Sequence, residues 1–169
     1  LSQQNWLGGS GQEDFVNSSK YFFDDGNVDI SNGDVRLIKG GNLSGYLISS
    51  TFDTGTVESS YTTLTWQPTS QSYGDEVKFQ LSANNDNETW NFVGPDGTAS
   101  TYYTVPGTPI DSFLNNKRYI RYKGFLSTEG GSTPVFTSVN INYVSGCFTP
   151  GQAFFPGLSF AEEYKATVS

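Results

Sequence analysis

The stretch EVKFQLS (Glu76–Ser82) alternates without a break. Val77, Phe79 and Leu81 point one way, and Glu76, Lys78 and Gln80 the other. A backbone that turns successive side chains to opposite faces is a β-strand, here with one buried and one wet side. The same two-residue period recurs along the chain. In DVRLIK (Asp34–Lys39), Val35 and Leu37 stand against Asp34 and Arg36. VFTSVNINYV (Val135–Val144) puts Val135, Val139, Ile141 and Tyr143 on one face, with Ser138, Asn140 and Asn142 opposite. YLISSTF (Tyr46–Phe52), TTLTW (Thr62–Trp66) and RYIRYKGFL (Arg118–Leu126) complete the main set. Between them lie SNGD, DTG, SYGD, NNDN, GPDG and EGGS, which offer Gly, Asn or Asp where a positive φ or an Asx-turn is wanted. Only PIDSFLNN (Pro109–Asn116) can hold a helical turn. Many short strands separated by tight turns predict an all-β chain, an antiparallel β-sandwich of jelly-roll type. Val77, Phe79, Leu81, Ile120, Tyr122, Val139 and Ile141 are expected to face one core.

Composition narrows the partners. The chain has 169 residues, the size of one domain, and a net charge of −8 with only 9 Lys and Arg. So little positive charge argues against nucleic acid and against an anionic membrane surface. No stretch reaches the length of a membrane-spanning helix. The lack of a signal peptide and of any Met leads us to expect a mature or excised segment. Cys147 is the single cysteine, so no internal disulfide forms. An acidic surface rich in Thr, Ser and Asn fits an extracellular setting.

The chemistry of the side chains excludes more than it offers. The chain contains no His, which removes the usual general base of nucleophilic catalysis and, with one Cys, most transition-metal sites. Paired carboxylates could run a glycosidase, but Asp53, Glu58, Asp75, Glu76, Asp96 and Asp111 mostly sit in turns beside Gly. The chain therefore reads as a non-enzyme. DDGNVDIS spaces Asp25, Asn27 and Asp29 two apart, with Asp24 adjacent, and hard oxygens at alternate loop positions can converge on Ca2+. This is not an EF-hand, because Arg36 stands where the closing acid belongs. The competing reading is a solvated turn entering a strand.

WNFVGPDGTASTYYT (Trp90–Thr104) sets an indole and two phenols around a Gly-Pro-Asp-Gly turn. Its simplest form is a hairpin whose loop centres on Gly94–Gly97. Tyr102 and Tyr103 are consecutive, so one of them faces outward. Sugar C–H faces stack on aromatic rings while neighbouring amides and carboxylates hold the hydroxyls. Trp90, Asn91, Asp96, Tyr102, Tyr103 and Arg121 are accordingly the candidate ligand residues, with Asn87 nearby. Arg121 has a second reading, as a structural tie between strand and loop. Trp66, which shares a face with Leu64, reads as core, and Trp6 as a cap on one end of the sandwich. Asn17, Asn42 and Asn87 head glycosylation sequons, patterns expected by chance in so Asn-rich a chain.

Across about Gly45–Tyr143, the pieces SSTFDTG, LTW, EVKFQLS, WNFVGPDGT, RYIRYK and TPVFTSVNINY resemble secreted β-sandwich modules related to discoidin and galactose-binding-like jelly rolls. NWLGGSGQEDF (Asn5–Phe15) with NVDISNGDVRL (Asn27–Leu37) is similar to lead-ins of bacterial surface proteins and prepilin-type subunits. The resemblance implies a non-catalytic extracellular or cell-surface module for adhesion, binding glycan or another surface polymer. Its alternative implication is the globular subunit of a type IV pilus, pseudopilus or other surface filament. The expected organisation is a sandwich over 1–146 and a C-terminal strand pair over 147–169. That tail departs from the pattern and looks like two strands of a carboxypeptidase-regulatory-like or immunoglobulin-like module. Its strands, near Ala153–Phe155 and Tyr164–Val168, are expected to pack on the sandwich or on a neighbouring copy. Phe148, Phe154, Phe155 and Phe160 are too apolar to stay wet.

Overall fold

The computed structural model describes residues 1–11 and 20–146. The expected strand pair over 147–169, with Cys147 and its phenylalanines, lies outside the described residues. So does Asn17. The described chain is built almost wholly of strands. They are β1 (Ser2–Gln3), β2 (Tyr21–Asp24), β3 (Val28–Asp29), β4 (Val35–Leu37), β5 (Ser44–Ser49) and β6 (Phe52–Asp53). There follow β7 (Ser59–Gln67), β8 (Asp75–Asn84), β9 (Thr108–Pro109), β10 (Tyr119–Thr128), β11 (Val135–Phe136) and β12 (Ser138–Ser145). Among the described residues the one helical element is a 3-10 turn at Ser112–Leu114, within the segment expected to hold it. The Asp111 carboxylate caps it by accepting from the Phe113 amide at 3.1 Å.

Two sheets face each other in an all-β antiparallel sandwich. Sheet A runs in the order β1-β12-β7-β9, and sheet B runs β2-β5-β10, with β8 on the far flank of β10. A small third sheet runs β11-β4-β3. The β8–β10 ladder holds register without a shift from Tyr119↔Asn84 to Thr128↔Asp75. On its other flank β10 meets β5 and then β6. Ile48 pairs Lys123 and Phe52 pairs Ile120, so β5–β6 takes four steps where β10 takes three. That extra residue is a bulge. The Ser49 hydroxyl accepts from the Tyr122 amide at 3.0 Å and replaces the ladder bond the bulge removes.

Period-two patterning placed the core correctly. All seven residues expected to share it are buried. Phe79 stands at its centre, with ring centres 4.8 Å from Trp66, 5.2 Å from Phe136 and 5.8 Å from Tyr122. Trp6 packs edge-on against Phe136 at 5.4 Å. Gly124 makes room for this cluster, since a Cβ there would lie 2.9 Å from both the Phe79 and Phe136 rings. The core also encloses a polar relay. The Trp6 indole N–H donates to the Tyr122 hydroxyl at 2.9 Å, and that hydroxyl donates to Gln3 Oε1 at 2.5 Å. Gln3 Nε2 then donates to the Lys20 carbonyl at 2.9 Å.

One expected strand is in fact two. Val135–Val144 breaks at Thr137, where the chain leaves the small sheet for sheet A. The switch reverses the expected parity at the start, so Phe136 fills the core and Val135 is only half-buried. A second irregularity, between Asn142 and Tyr143, shifts the register of β12 on β7.

Candidate binding face

The outer face of sheet B is built from residues opposite the core set. On β10, Arg121, Lys123 and Phe125 point away from Ile120, Tyr122 and Leu126. Register then fixes their neighbours: Phe125 lies between Tyr46 of β5 and Lys78 of β8, and Lys123 between Ile48 and Gln80. A bulge in β2 between Tyr21 and Phe23 sends Tyr21 inward and leaves Phe22 and Phe23 exposed beside this face.

These side chains form a connected aromatic row. Ring centres are 6.0 Å apart for Phe23–Tyr46, 6.0 Å for Tyr46–Phe125 and 5.2 Å for Phe125–Tyr102, the last edge-on. Cations are set against the rings. Lys123 Nζ lies 3.8 Å from the Tyr46 ring centre and 4.9 Å from that of Phe125, and Lys78 Nζ lies 4.5 Å from Tyr102. The Arg121 guanidinium is flanked by Phe22 at 4.0 Å and Trp90 at 4.2 Å. Contacts of this kind contribute from about 0.5 kcal/mol when exposed to about 2 kcal/mol when desolvated.

Arg121 is only 1% exposed although it lies on the outer face. Its Nε donates to Thr51 Oγ1 at 3.0 Å. Burial pushes its pKa down to about 10, which leaves it charged at neutral pH. Lys123 is likewise lowered, first by burial, against which the nearby Asp25 acts in the opposite sense. A groove of about 170 Å³ beside this row is lined by Asp25, Ser44, Tyr46, Lys78, Phe125 and Ser127.

The aromatic stretch Trp90–Thr104 is not the expected hairpin. Val93 exchanges both backbone hydrogen bonds with Leu81, and Tyr103 does the same with Phe79. Both arms therefore run the same way along the outer edge of β8, and residues 94–102 loop out between them. A hairpin would pair the arms with each other, but the edge of β8 supplies partners to both. Gln80, on the outer face, donates through Nε2 to the carbonyls of Ala99 and Thr101, each at 2.9 Å. This clamp folds the loop over the sheet and brings Tyr102 against Phe125. Asp96 accepts from the Thr98 amide and hydroxyl, both at 2.9 Å, and from the Thr101 hydroxyl. These bonds, the Thr101 hydroxyl foremost, hold its carboxyl below the usual range.

At Gly94 the loop crosses itself. A Cβ there would stand 2.3 Å from the carbonyl carbon, the oxygen and the hydroxyl of Thr101. Substitution of Gly94 by Ala is expected to displace the loop and lower stability by about 1–3 kcal/mol, as overpacking does elsewhere. Urea unfolding measures this, and an unchanged midpoint would show that the crossing is loose.

Trp90, Tyr102 and Arg121 are thus brought to one face, and Asn91 is exposed beside Trp90. Asp96 is spent on organising its own loop. Tyr103 is corrected from candidate ligand residue to core: it is fully buried, with its hydroxyl near the Asp111 backbone but outside hydrogen-bond geometry. Sequence reading missed Phe22, Phe23, Tyr46, Lys78, Lys123 and Phe125. Parity alone carried a signal for the β10 and β8 members.

The candidate calcium loop does not gather its acids. Among the described residues no three of Asp, Glu, His or Cys come together to hold a metal. Asp25 accepts from the Asn27 amide at 3.1 Å and Asp29 from the Ser31 amide at 2.8 Å. Asp24 accepts from the Gly26 amide at 2.7 Å and from the Tyr21 hydroxyl, and Asn27 Oδ1 accepts from Asn42 at 2.5 Å. Each of the three carboxylates accepts from the backbone amide two residues ahead.

Among the described residues no helix is long and apolar enough to cross a membrane. Compared with protein-family models, curated proteins and solved structures, the chain has no match in any of the three.

Proposed function

We propose that this chain is a non-catalytic adhesion module of an extracellular or cell-surface protein, and that it binds a glycan or another surface polymer along the outer face of sheet B. The observation that carries the reading is the connected, partly exposed row Phe23–Tyr46–Phe125–Tyr102, in which strand register fixes Tyr46 beside Phe125 and the Gln80 clamp holds Tyr102. Rigid rings give contact area at low entropic cost, and the sheet face presents them in a row to an extended ligand. The jelly-roll reading, and with it the galactose-binding-like resemblance, is supported by the path of the chain. From β6 onward it passes to β7 in sheet A, β8 in sheet B, β9 in A, β10 in B and finally β12 in A.

Single substitutions Tyr102→Ala and Phe125→Ala test the proposal. Each is expected to abolish retention on a glycan array, from a parent affinity in the roughly micromolar-to-millimolar range. Stability should fall by less than about 1.5 kcal/mol, because these rings are only half-buried. Tyr103→Ala, by contrast, is expected to unfold the domain. If the parent protein retains no glycan or polymer, the reading fails and the filament subunit takes its place.

A further inference from the structure

We propose that the polymer bound on this face is an acidic polysaccharide, with carboxylate or sulfate groups seated on Lys123. The inference rests on the binding-face reading above and names the class of ligand. The chain carries 17 acids against 9 bases, yet Lys78, Arg121 and Lys123 lie together on one sheet face. Two neighbouring cations show what a satisfied base looks like here. Arg118 pairs Asp53 at 2.7 Å, and Lys78 pairs Glu76 at 2.7 Å. Among the described residues, neither Arg121 nor Lys123 has a carboxylate within ion-pair distance. The rings that hold them attract the cations without neutralising them.

Position on the strand makes the pair usable. Arg121 and Lys123 sit two residues apart on one face of β10, a rise of roughly 7 Å. Arg121 lies beneath Trp90 and acts through its field, while half-buried Lys123 is the contacting cation. Its ammonium is already placed over Tyr46, so little freedom is lost on pairing with an incoming oxyanion. A sugar ring stacked on Phe125 or Tyr102 would set its acidic group beside that ammonium. Asp25, the acid that acts on Lys123, lines the adjoining groove and favours groups placed away from it.

The test is affinity electrophoresis through gels containing polygalacturonate, dextran sulfate or neutral dextran, at low and raised salt. The parent protein should be retarded by one or both polyanions and not by dextran, and the two polyanions separate carboxylate from sulfate recognition. Lys123→Gln should weaken that binding by about tenfold, and Lys123→Arg should restore most of it. Lys39→Gln, which removes the same charge away from the face, should change it less than about twofold. Equal retardation by dextran, or equal losses in Lys39→Gln and Lys123→Gln, would overturn the proposal. Binding to a neutral glycan that depends on Tyr102 but not on Lys123 would also overturn it, while leaving the binding face standing. A parent that binds no polymer at all ends both readings.

Discussion

Replacing Phe79 with alanine should cost about 3–5 kcal/mol, as expected when a fully buried aromatic ring is removed. The ring touches Trp66 of sheet A, Tyr122 of its own sheet and Phe136 of the small third sheet. Side chains from all three sheets meet at this ring. Those neighbours are themselves large and locked by their own packing, so they can close little of the space left behind. Urea unfolding is the measurement, and Val77→Ala offers a comparison at the rim of the same strand, where the loss should be smaller. A Phe79→Ala loss below about 1 kcal/mol would mean that the sheets do not pack through this ring.

Tyr122→Phe should destabilise by about 1–3 kcal/mol although only one oxygen is removed. That hydroxyl accepts from Trp6 and donates to Gln3, in a region closed to solvent. Its loss strands an indole N–H and an amide oxygen together, and neither has water to turn to. Tyr61→Phe is the control. The Tyr61 hydroxyl donates to the Lys117 carbonyl at 2.8 Å in a partly buried setting, so its removal should cost about 0.5–1.5 kcal/mol. Equal effects at the two positions would argue against a sealed relay.

What could be read from sequence followed the regularity of the strands. β8 and β10 pair without a shift, so alternation in EVKFQLS and RYIRYKGFL put Val77, Phe79, Leu81, Ile120 and Tyr122 in the core correctly. Where a strand bulges or changes sheet, parity fails. Val135 was put on the face of Val139 and Ile141, yet Phe136 is the residue turned to the core, and the β2 bulge hid the shared exposure of Phe22 and Phe23. The binding face was legible only in part for a different reason. Period two says that Arg121, Lys123 and Phe125 share a side, but not that Tyr46 and Lys78 stand next to Phe125. That depends on cross-strand register, which no single strand encodes. The aromatic stretch misled because a Gly-Pro-Asp-Gly turn between aromatic arms has the local chemistry of a hairpin, and the open edge of β8 lies far from it in sequence. The Asp24–Asp29 loop left two readings open in the sequence. Acids at alternate positions serve Asx-turns as readily as a cation, and here backbone amides claimed them.

The two anchor points on β8 separate the frame of this protein from what it displays. Val93 and Tyr103 are held by neighbouring positions on one edge strand, so the chain leaves and rejoins the sheet almost at the same place. Whatever joins such nearby points need not keep a fixed length or composition for the sandwich to close, because loop closure grows only slowly more costly with length. Residues 94–102 therefore form a cassette. Its contents can diverge, or be exchanged by design, while the strands beneath stay unchanged and the rings of β5 and β10 remain as a constant floor.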